Sequence, residues 1–174
     1  MFEKEIKILD IDKNSLIKKL EEIGAVKDYE EVIHDIYYDY PEGKIDEGKR
    51  SFRIRKKGNC YMYTIKKKEK SETIKICQEK EIEISNIDGF QKTLEKYGLV
   101  KAREKQKMRL SYYIDDTHFD IDDYEGIPTL LEIEAHSDEE IEKWIKELGL
   151  ENHTRKTFGS RGLFEYYKVP YKNL

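Results

Sequence analysis

Nearly every stretch of this chain that is not helical alternates apolar and charged residues with a period of two. That spacing sends successive side chains to opposite faces of a β-strand. Whatever sheet the chain builds therefore has one apolar face and one charged face. In the first run Phe2, Ile6 and Ile8 share one side while Glu3, Glu5 and Lys7 share the other, and Lys4 points away from them. Further on, Arg53 and Arg55 oppose Phe52 and Ile54, and Tyr61, Tyr63 and Ile65 oppose Met62, Thr64 and Lys66. Glu79, Glu81 and Glu83 then oppose Ile82 and Ile84, and Arg103, Lys105, Lys107 and Arg109 lie on one face. Asp120 and Asp122 oppose Phe119 and Ile121, and Glu132 and Glu134 oppose Leu131 and Ile133. The pattern predicts strands over 2–9, 28–39, 50–57, 60–68, 73–85, 100–108, 109–115, 118–123 and 129–136. Gly58-Asn59 is a hairpin turn between two of them, Pro41-Glu42-Gly43 opens a loop, and 68–73 is a polar loop.

Three segments carry helical spacing instead. Leu16, Ile17, Leu20 and Ile23 share a face in a helix that starts near Asp12 or Asn14 and stops at Gly24. Phe90, Leu94 and Tyr97 do the same between Asp88 and Gly98. The third runs through Ile141, Trp144, Ile145 and Leu148 to Gly149, with Ser137 and Glu140 in capping-box spacing. The spacing Leu16…Leu20…Gly24-x-Val26 returns as Phe90…Leu94…Gly98-x-Val100. Each copy follows an acidic alternating strand and precedes a strand with a tyrosine pair, Tyr37-Tyr38 or Tyr112-Tyr113. A β-α-β-β-β unit used twice accounts for this, within a single domain spanning 1–174.

A freely solvated sheet face mixes both signs with Ser, Thr and Gln. Here each strand has a side carrying charges, often mostly of one sign. Three amphipathic helices also need an apolar sheet surface to cover. If they cover the outside of the sheet, the charged face becomes a lumen. Enclosed charge is costly unless it is paired or bound to something. Carboxylates two apart on a strand share a side and suit a hard cation, and Arg and Lys from neighbouring strands suit phosphate oxygens. A polyphosphate with bridging Mg²⁺ or Mn²⁺ satisfies both sets together.

Composition narrows the partners. Of 174 residues 40% are charged, but 33 Lys and Arg stand against 37 Asp and Glu, a net of −4. That balance lacks the basic surplus of a nucleic-acid polymer binder. No apolar run reaches the length of a membrane span, and charge begins at the third residue, so neither an anchor nor a signal peptide is expected and the location is cytoplasmic. Cys60 and Cys77 lack metal or redox spacing. His34, His118, His136 and His153 are scattered, which does not suit a metal cluster.

Glu3-x-Glu5-x-Lys7 resembles the opening signature of the CYTH, or triphosphate tunnel metalloenzyme, superfamily. The later motifs follow in the family's order: His34-Asp35-Ile36-Tyr37-Tyr38, Phe52-Arg53-Ile54-Arg55, Ile65-Lys66, Glu79-x-Glu81-x-Glu83, Lys107-x-Arg109-x-x-Tyr112, Asp120-Ile121-Asp122-x-x-x-Gly126 and Leu131-Glu132-Ile133-Glu134. The resemblance covers residues 1–150 and implies an α+β fold, a closed eight-stranded antiparallel barrel with helices outside. It implies Glu3, Glu5, Asp122, Glu132 and Glu134 as metal ligands, with Glu81 and Glu83 as further candidates. Lys7, Arg53, Arg55, Lys66, Lys107 and Arg109 would hold the triphosphate. Lys7, Lys66 and Lys156 are the candidate catalytic lysines, Lys156 being chosen from the cations Arg155, Lys156 and Arg161 of a C-terminal segment that departs from the family's usual ending. Tyr166-Tyr167 there suits packing. The family includes class IV adenylyl cyclases, thiamine triphosphatases and inorganic triphosphatases. The implied substrate is a triphosphate-bearing small molecule (tripolyphosphate, ATP or thiamine triphosphate), processed with Mg²⁺ or Mn²⁺ by a monomer or homodimer. Hydrolysis is the first expectation, cyclisation of ATP the second, and a non-catalytic polyphosphate-binding module the third.

Overall fold

The computed structural model describes residues 3–47, 50–69 and 75–171, with backbone alone for Glu3, 67–69 and 75–79. Phe2, the side chains of Glu3 and Glu79, and most of the polar loop at 68–73 thus lie outside the described residues. The order is β1 (Glu3–Ile8), α1 (Lys13–Glu22), β2 (Val26–Asp39), α2 (Lys44–Glu47), β3 (Arg50–Lys57), β4 (Cys60–Glu69), β5 (Lys75–Glu83), α3 (Ile87–Lys96), β6 (Val100–Ile114), β7 (Thr117–Tyr124), β8 (Ile127–Ala135), α4 (Asp138–Glu147), β9 (Arg155–Lys156) and α5 (Ser160–Tyr167). Apart from the single-turn α2, β1–β4 and β5–β8 repeat the same β-α-β-β-β order.

Local chemistry sets the helix ends. Asp12 caps α1 by accepting the Ser15 N–H at 2.7 Å, and Asn86 caps α3 by accepting that of Gly89 at 2.9 Å. Ser137 caps α4 by accepting the Glu140 N–H at 3.1 Å. The expected return bond of a capping box goes instead to the His136 N–H, which Glu140 accepts at 3.3 Å. Gly24 and Gly98 leave α1 and α3 at φ +82°, a left-handed backbone that glycine adopts without strain.

The strands form one antiparallel sheet in the order β5-β4-β3-β2-β6-β7-β8-β1-β9. Two expectations change. Residues 100–114 make one strand rather than two, because alternation continues in phase through Met108 and Arg109. The sheet has nine strands rather than the eight of a closed barrel, and no full-length ladder joins its two ends. What links them is short: β1 meets β5 at Glu3↔Cys77, Lys4↔Ile76 and Glu5↔Lys75, and meets β9 at Lys7↔Lys156 and Ile8↔Arg155.

The apolar faces lie outward under helices. Ile6, Ile8, Leu110, Phe119, Ile121, Leu131 and Ile133 pack against Leu16 and Leu20 of α1 and Ile141, Trp144 and Ile145 of α4. Leu94 of α3, with Phe90, covers Tyr38, Phe52 and Ile54. Leu163 of α5 packs on Leu9, Tyr124, Ile127 and Leu130. Fully burying a side chain of this size contributes roughly 1.5–3 kcal/mol. With the apolar face spoken for, the charged face turns inward.

Candidate active site

The inward faces enclose a cavity of about 520 Å³. Glu5 and Lys7 of β1 and Glu132 and Glu134 of β8 form one wall. Arg103, Lys105, Lys107 and Arg109 of β6 form the next, and Arg53, Arg55, Lys66 and Glu81 of β3, β4 and β5 complete the round. Asp46 of α2 and Arg161 of α5 stand at one end. Nine of the lining residues are Lys or Arg and five are Asp or Glu, so the cavity attracts anions.

Buried carboxylates hold the cations in place. Asp35, on the inner phase of β2, is 1% exposed and accepts from Arg55 Nε at 2.7 Å and Nη2 at 3.1 Å. It also faces Lys105 Nζ at 3.3 Å and Arg53 Nε at 3.8 Å. Burial alone would push the Asp35 carboxyl up, but Arg55, Arg53 and Lys105 outweigh it and hold it well below its ordinary value. Asp122, 0% exposed, accepts from Lys107 at 2.5 Å and from Arg109 Nε and Nη2 at 2.7 and 2.8 Å. Arg109 also donates to Asp120 and, at 3.1 Å, to Glu132. On the far wall Arg53 Nη2 donates to Thr64 at 3.1 Å and to Glu81 at 3.2 Å, while Thr64 donates to Glu81 at 2.7 Å. The buried Arg53 Nε makes no hydrogen bond among the described residues and lies 3.8 Å from Asp35 Oδ1.

Two lysines respond differently to burial. Glu132 and Glu5 overcome burial at Lys7 and hold its ammonium above the ordinary value. At Lys107, burial and the adjacent Arg109 prevail over Asp122 and pull the group down to about 7.

The residues fit a hard divalent cation in chemistry. Glu5 and Glu134 are ladder partners, as are Lys7 and Glu132. All three carboxylates line the cavity, and their oxygen-only donor set suits Mg²⁺ or Mn²⁺. The Lys7 ammonium lies 3.2 Å from Glu5 Oε1 and also pairs with Glu132, so these carboxylates already gather positive charge between them. No group of three or more His, Cys, Asp or Glu among the described residues is arranged as a ready metal cage. Of the other expected ligands, Glu81 lines the opposite wall, Glu83 is exposed and absent from the lining, and Asp122 sits behind the wall as a counter-ion.

All six residues expected to hold the triphosphate reach the cavity. Lys156 does not line it, lying instead 5.2 Å from the Tyr166 ring centroid. Arg155 pairs outside with Glu142 at 2.8 Å, and Arg161 is the cation of that segment that lines the cavity. Arg155 and Lys156 lie on β9, too short to show periodicity, and Arg161 lies on the separate helix α5, so no common pattern in the sequence ranks the three. Asp35, Tyr37, Arg103 and Lys105 were not singled out as site residues, although each shares the inner phase of its strand. Cys60 is exposed and apart from the site, and His34 pairs with Glu104 at 3.2 Å.

A helix-backed antiparallel sheet with a two-signed, cation-rich hollow defines a tunnel-type α+β fold. The chain belongs to the CYTH domain family, whose model matches residues 1–160. A Methanocaldococcus jannaschii protein provisionally named an adenylate cyclase is 28% identical over 134 residues, 77% of each chain. A Vibrio parahaemolyticus structure, also provisionally named an adenylate cyclase, matches with a TM-score of 0.82 at 17% identity, covering 95% of this chain and 98% of its own. A Hippeastrum protein, provisionally named an adenylyl cyclase and described as having a dominant triphosphatase activity, matches with a TM-score of 0.72 at 16% identity and 97% coverage of both chains. At these identities the structural likeness speaks for the fold alone.

Proposed function

We propose that this protein is a divalent-metal-dependent phosphohydrolase of inorganic or organic triphosphate. One observation carries the reading: nine Lys and Arg side chains surround a hollow whose β1–β8 wall presents Glu5, Glu132 and Glu134. A polyphosphate chain is the small ligand that uses so many inward cations and still needs a metal beside it. Lys7, Arg53, Arg55, Lys66, Lys107 and Arg109 bind and orient the phosphates. Glu5, Glu132 and Glu134 would hold Mg²⁺ or Mn²⁺, with Glu3 as a further candidate. The metal, when bound, supplies charge neutralisation on phosphate oxygens and helps orient the attacking water. Water attacks the terminal phosphorus, the bridging P–O bond breaks, and the remaining phosphates leave with that bond's electron pair.

The short β1–β5 and β1–β9 pairings fit a tunnel-type sheet. No helix among the described residues is long and apolar enough to cross a membrane. We read the protein as a monomer or homodimer.

Cyclisation of ATP is the second reading, favoured by the provisional names of the relatives. The two aromatic rings of the cavity argue for hydrolysis first. Arg103 lies 4.5 Å from the Tyr37 centroid, and Lys105 and Lys107 lie 5.8 and 5.6 Å from that of Tyr124. These rings are already matched with cations rather than offered to a base. The test is incubation of pure protein with Mg²⁺ or Mn²⁺ and tripolyphosphate, ATP or thiamine triphosphate, followed by assay of phosphate, pyrophosphate and cyclic AMP. Phosphate release is expected. Cyclic AMP with pyrophosphate would overturn hydrolysis, and tight tripolyphosphate binding without any turnover would make the protein a binding module.

A further inference from the structure

Thr64 is fully buried and does not line the cavity, yet two lining residues meet on its hydroxyl. Arg53 Nη2 donates to Thr64 Oγ1 at 3.1 Å, and that hydroxyl donates to Glu81 Oε1 at 2.7 Å. Arg53 Nη2 also reaches Glu81 Oε1 directly, at 3.2 Å. The three side chains sit on neighbouring strands as successive ladder partners, Arg53↔Thr64 and Thr64↔Glu81, so the pleat sets them in one row on one face.

The chemistry of a hydroxyl assigns the roles. It has one proton to give and lone pairs to accept with. A carboxylate only accepts and a guanidinium only donates, so the proton goes to Glu81 and a lone pair faces Arg53. The β-branched side chain is stiff at its first torsion, which keeps the hydroxyl aimed at both partners. The two carboxylates beside Arg53 differ in their hold on it. The Asp35 side chain is 1% exposed and is gripped by the Arg55 fork. The Glu81 side chain is 42% exposed, and an ion pair so open to water is weak. A phosphate oxygen can therefore take the place of Glu81 on Arg53, while Asp35 stays where it is.

We propose that Thr64 is a positioning residue for the triphosphate: it aims Arg53 at the cavity and holds Glu81 beside it as a carboxylate that an incoming phosphate oxygen displaces. The inference rests on the proposed triphosphate chemistry and deepens it. Before the ligand arrives, Glu81 occupies a donor of Arg53 and keeps the guanidinium from swinging away. On binding, Arg53 Nη2 exchanges Glu81 for phosphate. The Thr64 proton stays on Glu81, so the displaced carboxylate remains on the wall.

The experiment is calorimetric binding of tripolyphosphate, in EDTA and again with Mg²⁺, to the wild type, Thr64→Val, Thr64→Ser and Glu81→Gln. Thr64→Val is also made in an Arg53→Met background. Thr64→Val keeps the shape and removes the hydroxyl, and Thr64→Ala replaces it if the valine variant does not fold. Loss of a hydrogen bond to a charged group should weaken binding by about tenfold or more, and Thr64→Ser should restore it to within about twofold. In the Arg53→Met background the same change should cost nothing further, since its partner is gone. Glu81→Gln removes the competing charge and should tighten binding in EDTA by roughly two- to fivefold, the scale of an exposed ion pair. Unchanged affinity in Thr64→Val would overturn the positioning role. So would a loss that Thr64→Ser shares, or one of equal size without Arg53. Unchanged or weaker binding by Glu81→Gln in EDTA would overturn the displacement. Tripolyphosphate unbound by the wild type under both conditions would instead sink the triphosphate reading on which the inference depends.

Discussion

Arg55 grips Asp35 through two parallel bonds, Nε to Oδ1 at 2.7 Å and Nη2 to Oδ2 at 3.1 Å, so the guanidinium cannot turn without losing both. Such forked pairing fixes direction as well as distance. Asp35 also has Arg53 and Lys105 within 4 Å, so one carboxylate aligns cations from two strands. Asp35→Asn should cost about 3–5 kcal/mol at neutral pH, the usual penalty for leaving a buried charge unpaired. Its pH dependence has a definite sign. A carboxyl held well below 3.8 contributes stability that is full above that value and is lost as the pH falls towards its folded pKa. Urea unfolding at neutral and acid pH should therefore show a shallower acid loss in the variant than in the wild type.

Lys107, brought down to about 7, is partly neutral in the free protein near neutral pH. An anion arriving beside it favours the ammonium, so tripolyphosphate binding at about pH 8 should take up protons. Titrations in two buffers of different ionisation enthalpy would measure the uptake. Lys107→Arg, charged throughout, should lose it, and an unchanged uptake would refute the assignment to Lys107. The same shift implies that stability rises with pH between about 7 and 10.5, where the unfolded chain holds the extra proton.

Glu5→Gln keeps the shape of the side chain and removes half of the Glu5/Glu134 ladder pair. Metal-dependent turnover should fall by about 100-fold or more, a loss typical of catalytic charge stabilisation. The circular dichroism spectrum should match that of the wild type. Activity retained at saturating Mg²⁺ and Mn²⁺ would remove Glu5 from the metal ligands.

Ile145 is completely buried where α4 meets the outer face of the sheet. Ile145→Ala should lower stability by about 2–5 kcal/mol through lost burial and the cavity left behind. Tripolyphosphate affinity, measured well below the new unfolding midpoint, should not move. An affinity change of tenfold would mean that this core and the charged hollow are coupled.

The alternation made the inner surface readable because it survives any uncertainty in strand ends. Arg103, Lys105, Lys107 and Arg109 share a phase whether 100–114 is read as one strand or two, and all four line the hollow. The repeated β-α-β-β-β order was legible for the same reason, since each copy carries its own helix spacing and glycine stop. Other features had no periodic signal. Lys156 lies on a two-residue strand and Arg161 on the separate helix α5, so no shared periodicity ranks one over the other. α2 is a single turn, and its placement depends on the side chain of Asp39 reaching forward to Ile45 and Asp46. Asp35 showed its phase but not its task, because a lone inward carboxylate becomes meaningful only when Arg53, Arg55 and Lys105 arrive from other strands.

Strand β1 shares its second edge between two distant partners, β5 at Glu3–Glu5 and β9 at Lys7–Ile8. Synthesis delivers these pieces far apart in time. The opening strand must wait for residues near 76, then 133 and finally 156 before its backbone groups are all matched. Until then it is an exposed adhesive edge, open to pairing with another chain. Contacts so remote in sequence also form slowly, because a long loop must close before they are made. Loss of soluble yield, more than loss of catalysis, is therefore the expected penalty for damaging the two-residue strand at Arg155–Lys156.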